Sequence, residues 1–185
     1  MPVIVVGGSG RGVGKTALVC GLIAGLPEFR WTAVKVTGHE HGKPAALWEE
    51  TEAGHGTDTA RYLAAGAEHA ALLTASRADF AFQLGAILKG LYGGAHLIFE
   101  SNRILDHLKP NLCLMVQGNA GQTAKKASFL QALPYADAIV AAAGTDSVVD
   151  EAGRGMPAFG LAQLERISPA MRAWVREKLG LGHRF

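Results

Sequence analysis

Residues 7 to 18 read GGSGRGVGKTAL, five glycines and a lysine directly after the apolar run VIVV. Residues 9 to 16, SGRGVGKT, follow the phosphate-binding pattern G-x-x-x-x-G-K-[S/T] at every position but the first, where Ser9 stands for glycine. Such a loop needs glycine because backbone N–H groups must curl around phosphate oxygens, where a side chain would block the approach. Lys15 is then expected to reach the β- and γ-phosphates and the Thr16 hydroxyl to bind Mg²⁺, with the following helix aiming its positive end at the anion. A signature lysine early in the loop, as in K-G-G-x-G-K-[S/T], is absent: Gly10 occupies its place and Arg11 follows. Arg11 is either a solvated loop arginine or a residue that reaches a γ-phosphate across a dimer.

A phosphate loop that uses Mg²⁺ needs an acid, and the stretch LIFESN closes an apolar strand with Glu100. Three roles stay open for Glu100: holding the metal, orienting an attacking water, or merely ending a strand. Lys15 and Glu100 are thus the candidate catalytic residues. A further polar cluster, KVTGHEHGKP, carries Lys35, Thr37, His39, Glu40, His41 and Lys43, and His55 lies just before Thr57. His39 and His41 can ligate a metal, meet an anionic substrate, or belong to a solvated loop, and neither CxxC nor HExxH accompanies them. The strand carrying them is expected beside the phosphate-loop strand. Asp58, in the first turn of a helix, favours the helix dipole even without a further role.

These residues need a scaffold that brings strand ends together. Apolar runs of strand length recur as PVIVVG, WTAVKVT, HAALLT, AHLIFE, NLCLMVQ and DAIVAAAG. They are continuous rather than alternating, the pattern of strands buried on both faces. Helical spacing lies between them: Leu18, Val19, Leu22, Ile23 and Leu26 before Pro27, and Phe80, Leu84, Ile87, Leu88 and Leu91 after a cap at Asp79. Thr57 is the expected cap of DTARYLAAGA, and Ser168 with Pro169 opens the last helix. Alternating strands and helices predict a three-layer α/β fold with a mostly parallel central sheet, binding ligands at the carboxyl ends of its strands.

The 185 residues, 49% of them apolar, suit a single domain over 1–185 with a sizeable core. A net charge of +2 with scattered Lys and Arg points away from nucleic acid and membrane surfaces. Cys20 and Cys113 form no metal or disulfide pattern and read as core thiols of a reducing compartment. No basic region precedes the first apolar run and no stretch has the length of a membrane span, so a cytoplasmic protein is expected.

In sequence and in order, the phosphate loop, AVKVTGHEHGKP, GTDTARYLAAGA, LLTASR and LIFES resemble the molybdopterin-guanine dinucleotide biosynthesis protein B (MobB) family. The resemblance covers roughly residues 1 to 101. It implies a P-loop protein that binds GTP, often as a homodimer, has weak GTPase activity, and partners the guanylyltransferase that attaches GMP to molybdopterin. On that resemblance Gly10, Arg11, Gly12, Val13, Gly14, Lys15 and Thr16 hold phosphate, and Thr16 and Glu100 serve Mg²⁺, with Asp58 joining through water. Lys35, Thr37 and His39 match the family's second-strand segment. Where the family has Glu-Gly, this chain has Glu100, Ser101 and Asn102 with Arg103 nearby, and beyond residue 101 it is closer to a MobB-related branch of P-loop proteins marked by ESN.

No [N/T]-K-x-D guanine motif occurs, since QGNAG and AAGTDS lack its lysine, so GTP over ATP rests on the resemblance. Three functions stand side by side: a nucleotide-binding accessory protein in molybdenum cofactor biosynthesis, a small-molecule kinase or ligase using ATP or GTP, and a module that holds nucleotide as a structural ligand.

Overall fold

A computed structural model describes residues 2–38, 46–75, 77–86, 96–118, 126–142, 155–161 and 165–180. In chain order the elements are β1 (Val3–Gly8), α1 (Lys15–Gly25), β2 (Trp31–Gly38), β3 (Ala46–Glu50), α2 (Asp58–Ala64), β4 (His69–Ala75), α3 (Arg77–Ala86), β5 (His96–Glu100), β6 (Leu112–Gln117), α4 (Ala127–Ala132), β7 (Ala138–Ala142), β8 (Ala158–Leu161) and α5 (Pro169–Lys178). The eight strands form one sheet in the order β3-β4-β2-β5-β1-β6-β7-β8. All pairings are parallel except β3 with β4. All six apolar runs read from the sequence are strands.

The central strands are apolar on both sides because both faces are covered. Ile4, Val6, Ala33, Ile98 and Leu114 pack with Leu18, Leu22 and Ile23 of α1, Tyr62 of α2, and Met171 and Val175 of α5. On the opposite face Val5, Val34, Phe99 and Met115 pack with Phe80 and Leu84 of α3 and Phe129 of α4. Helices thus lie on both faces of a mostly parallel sheet, the three-layer α/β architecture. Among the described residues no helix is long and apolar enough to cross a membrane.

Four expectations are revised. The β2 strand does not neighbour β1: β5 lies between them, paired with both. Strands β3 and β8 have no counterpart among the expected ones, because both are short edge strands with exposed or half-exposed positions and so lack a continuous apolar run. The helix containing Phe80 and Leu84 begins at Arg77, so Asp79 lies inside its first turn rather than at its cap. The α1 helix is buried nearly all round, Val19, Cys20 and Gly21 included, where a one-sided face was expected. The Thr57 and Ser168 caps do form: their hydroxyls accept the N–H groups of Ala60 and Met171 at 3.0 and 3.1 Å. Ile87, Leu88 and Leu91 fall outside the described residues.

Candidate functional site at the phosphate loop

The chain leaves β1 at Gly8 and enters α1 at Lys15. Gly12 and Gly14 hold φ of 68° and 102°, a left-handed backbone that side chains other than glycine's rarely tolerate. Gly14 is the residue before the first helical turn and offers no side-chain cap, and the first turn of α1 holds no acid. Its first N–H groups therefore have no side-chain acceptor of their own, the arrangement in which a helix start can hold an anion. The Lys15 ammonium donates to the Gly10 carbonyl at 2.7 Å, curling over its own loop. Burial lowers the Lys15 pKa; Glu100 opposes that effect, and Lys126 and Lys35 add to it.

The Ser9 side chain has a place of its own. Its hydroxyl accepts the Gly118 N–H at 3.1 Å, and its carbonyl accepts the Lys126 N–H at 3.2 Å. The loop entrance is thereby tied to the chain after β6 and to the start of α4. Asn102 makes a second tie: its Oδ1 accepts the Gly8 N–H at 2.7 Å and its Nδ2 donates to the Gly8 carbonyl at 3.0 Å. Through this two-way amide pair the residues after β5 hold the last residue of β1.

Register brings the acid to the loop. Glu100 is paired with Val6 on one side and Lys35 on the other. Its side chain is buried among three donors. The Thr16 hydroxyl donates to Glu100 Oε2 at 2.8 Å, the Tyr62 hydroxyl donates to the same oxygen, and the Lys35 ammonium lies 3.5 Å from Oε1. Burial, followed by the charge of Glu100, pushes the Tyr62 pKa well up, so the phenol keeps its proton for this bond.

Lys35 also pairs with Asp58 Oδ2, and Arg61 Nη1 stands 3.4 Å from Asp58 Oδ1. Burial raises the Asp58 pKa, but Lys35, the Thr16 hydroxyl and Arg61 outweigh it and hold the carboxyl below its ordinary range. The helix carrying Asp58 is anchored at its start by Glu50, whose Oε2 accepts the hydroxyls of Thr57 and Thr59 at 2.9 and 3.0 Å. Arg61 is held from the far side by Glu165 at 2.6 Å.

Two cavities bring the phosphate loop and this cluster together. One, of about 490 Å³, is lined by Gly12, Gly14, Thr16, Asp58 and Arg61 among others. The other, of about 320 Å³, lies along Gly10, Thr37, Gly38, Asn102, Arg103 and Lys126. Arg11, Lys15, Lys35 and Glu100 border both. The sequence-predicted residues Gly10, Arg11, Gly12, Gly14, Lys15, Thr16, Lys35, Thr37, Asp58 and Glu100 therefore meet at one end of the sheet. Val13 is in the same loop, its side chain against Gly8 and Gly118. His55 lines a third cavity, of about 520 Å³, beside Trp48, and Lys35, Thr37, Asp58 and Arg61 border that one as well. His39, Glu40, His41 and Lys43 lie outside the described residues, as do most of QGNAG and AAGTDS.

Tyr62, Arg61, Lys126 and Ser128 were not singled out from the sequence, and Asn102 entered only as part of the ESN stretch, with no role given to it. For the first two a signal existed, since Asp58, Arg61 and Tyr62 stand at i, i+3 and i+4 and so share one helix face. For the contacts of Asn102 and Lys126 none existed, because their partners are far away in sequence.

The fold has solved counterparts. The crystal structure of "apo" form LpxK from Aquifex aeolicus in complex with ATP matches with a TM-score of 0.56 and 21% identity, covering 86% of this chain and 53% of that one. The chain thus spans about half the length of that protein. A MobB protein homologue from Bacillus stearothermophilus matches with a TM-score of 0.49 and 17% identity, over 97% of this chain and 99% of that one. No protein-family model matches the chain, and no curated protein does. The likeness to LpxK shows the fold, a three-layer α/β architecture around a mostly parallel sheet.

Proposed function

We propose that this chain binds a nucleoside triphosphate with Mg²⁺ at residues 10 to 16 and directs chemistry at its terminal phosphate. The observation that carries the reading is the 2.8 Å hydrogen bond from Thr16 to Glu100. By accepting the hydroxyl proton, Glu100 leaves the Thr16 lone pairs free for a cation, and it stands close enough to hold that cation's water. These are hard oxygen donors, and among the described residues no cluster of three or more His, Cys, Asp or Glu forms a closed cage. That donor set suits Mg²⁺, which keeps several waters and takes phosphate oxygens. Bound there, the ion would offset charge on the β- and γ-phosphates.

Lys15 gives up the Gly10 carbonyl for the phosphates, an exchange of one acceptor for a charged one. Lys35, held by Asp58 beside Glu100, supplies a second fixed positive charge next to the terminal phosphate. Asp58 already satisfies two cations, so it serves chiefly to aim Lys35 and would reach the ion only through water. Thr37, one strand period beyond Lys35, lies on the same face at the cavity edge.

The test is Glu100→Gln, whose amide oxygen can still accept from Thr16 and Tyr62. Triphosphate should still bind, while Mg²⁺-dependent hydrolysis falls by about tenfold to a hundredfold. Hydrolysis equal to that of the native chain would sink the assignment. ATP and GTP titrated in parallel decide the base, for which the resemblance of residues 1 to 101 favours GTP.

A second reading has its own support. The order of motifs through residue 101 favours a GTP-binding, homodimeric accessory of the molybdopterin guanylyltransferase, with weak GTPase activity and Arg11 at the dimer contact. Nucleotide-dependent binding to such a transferase, measured by sedimentation with and without GTP, tests it; no complex in either state rejects it.

A further inference from the structure

We infer that the 320 Å³ cavity beside the phosphate loop is a subsite for a phosphomonoester, the second ligand of a site whose first is the nucleotide proposed above, on which this inference rests. Its wall carries five cationic side chains, Arg11, Lys15, Lys35, Arg103 and Lys126, and a single carboxylate, Glu100.

Two of these five cations have another use. Lys15 is turned to the loop, and Lys35 is engaged by Asp58 and Glu100. Among the described residues no carboxylate pairs with Arg103 or Lys126. Arg11, also without a carboxylate partner among the described residues, borders both cavities, whereas Arg103 and Lys126 do not line the 490 Å³ one. Two such charges fit a dianion, and a phosphomonoester carries close to two negative charges at neutral pH.

Both cations stand on fixed backbone. Arg103 opens a one-turn 3-10 helix (Arg103–Asp106) whose Ile104 and Leu105 are buried, and its N–H donates to the Ser101 hydroxyl at 3.0 Å. Its guanidinium reaches back over the end of β2: Nη1 is 3.5 Å from where a Cβ on Gly38 would stand. The Lys126 N–H is bonded to the Ser9 carbonyl. Ser128 accepts from Asn102 Nδ2 at 3.2 Å, so its own hydroxyl proton is left to donate into the cavity. A guanidinium, an ammonium and a hydroxyl on three separate segments form the kind of donor set that holds a phosphate.

The subsite also has the right neighbour. It shares the wall of Arg11, Lys15, Lys35 and Glu100 with the 490 Å³ cavity lined by Gly12, Gly14 and Thr16, so its occupant faces the end of a triphosphate lying there. Lys126 and Lys35 both act on Lys15 to lower its pKa, a mutual repulsion that an anion in either cavity relieves.

The experiment is calorimetric titration of the whole chain, first saturated with Mg²⁺ and a non-hydrolysable triphosphate, using glycerol 3-phosphate as the probe and glycerol and acetate as controls. Glycerol 3-phosphate should bind the loaded protein, the controls should not, and its affinity should fall as pH drops below about 6, where the dianion takes up a proton. The double variant Arg103→Met, Lys126→Met should weaken the probe at least tenfold while leaving triphosphate affinity within about threefold. Lys126→Met alone, at an exposed position, should weaken it severalfold and serves if the double variant does not fold. A triphosphate that fails to bind the native chain overturns the nucleotide reading and this one together. A triphosphate that binds, with a probe that does not, competes for the same place, or ignores both variants, overturns the subsite alone.

Discussion

Lys35 and Glu100 face each other on adjacent parallel strands, in direct register, with the ammonium 3.5 Å from the carboxylate Oε1. Glu100 sits on the strand next to the one that leads into the phosphate loop, in register with Val6 of β1, and Lys35 one strand further out. A positive and a negative side chain are thereby fixed where a terminal phosphate and its metal ion would need one each.

Replacing Lys15 with alanine should separate phosphate from sugar. The lost charge-assisted contact is worth about 1.5–3 kcal/mol, so triphosphate affinity should fall about tenfold to a hundredfold and nucleoside affinity hardly at all. Burial depresses the Lys15 pKa in the free protein, and bound phosphate favours the protonated form. Triphosphate affinity should therefore decline as pH rises through the free-state value, below the ordinary lysine range, and Lys15→Ala should lack that decline. Calorimetry across alkaline pH reads both; equal losses for nucleoside and triphosphate would refute the role.

Asp58→Asn concerns acid stability. Lys35, Thr16 and Arg61 hold the folded-state pKa of Asp58 below its unfolded value despite burial. The stabilisation is thus complete above the unfolded value of about 4 and is lost as pH falls through the lower folded value. Urea unfolding should show Asp58→Asn less stable than the native chain at pH 6, with the gap closing toward pH 2. A gap that stays constant would mean the carboxylate charge is not what matters.

Asn102→Asp keeps the acceptor for the Gly8 N–H but removes the donor to the Gly8 carbonyl and sets a negative charge against it. A loss of about 1–3 kcal/mol in folding stability is expected, together with weaker triphosphate binding, because β1 leads directly into the loop. Native-like stability with native affinity would show that the amide pair is incidental.

Gly7→Ala probes how closely the strand end is packed. A Cβ there would stand 2.6 Å from Asn102 Oδ1 and 2.8 Å from Met115 Cε, inside any real contact distance. Destabilisation of about 1–3 kcal/mol is expected, and Gly7→Ala combined with Met115→Ala should cost less than the sum of the two single changes. An unchanged urea midpoint would contradict the packing.

Much of this was legible in the sequence. The phosphate loop needs glycine at fixed positions, and a pattern of types in a short stretch is a local property: Gly12 and Gly14 take the left-handed backbone that their spacing implied. Six apolar runs became strands because continuous burial on both faces leaves no polar position to alternate. The caps at Thr57 and Ser168 were readable for the same reason, their partners being three residues away.

Strand order was not readable, and the site depends on it. The β5 strand enters between β1 and β2, although β3, α2, β4 and α3 separate it from β2 in sequence. Nothing within residues 31 to 38 indicates that Lys35 will meet Glu100 rather than a residue of β1; the choice lies in which arrangement buries α1 and α2 on one face and α3 and α4 on the other. The edge strands β3 and β8 escaped notice because half of an edge strand is wet and its composition is that of a loop. Tyr62 and Asn102 likewise carry no local mark, since each meets its partner across 38 and 94 residues of chain, respectively. The glycine loop proposed to bind phosphate is set by the local backbone, which the sequence determines on its own, whereas the acid, the second cation and the tie that holds the loop are set by contacts between distant strands, which only the packed sheet decides.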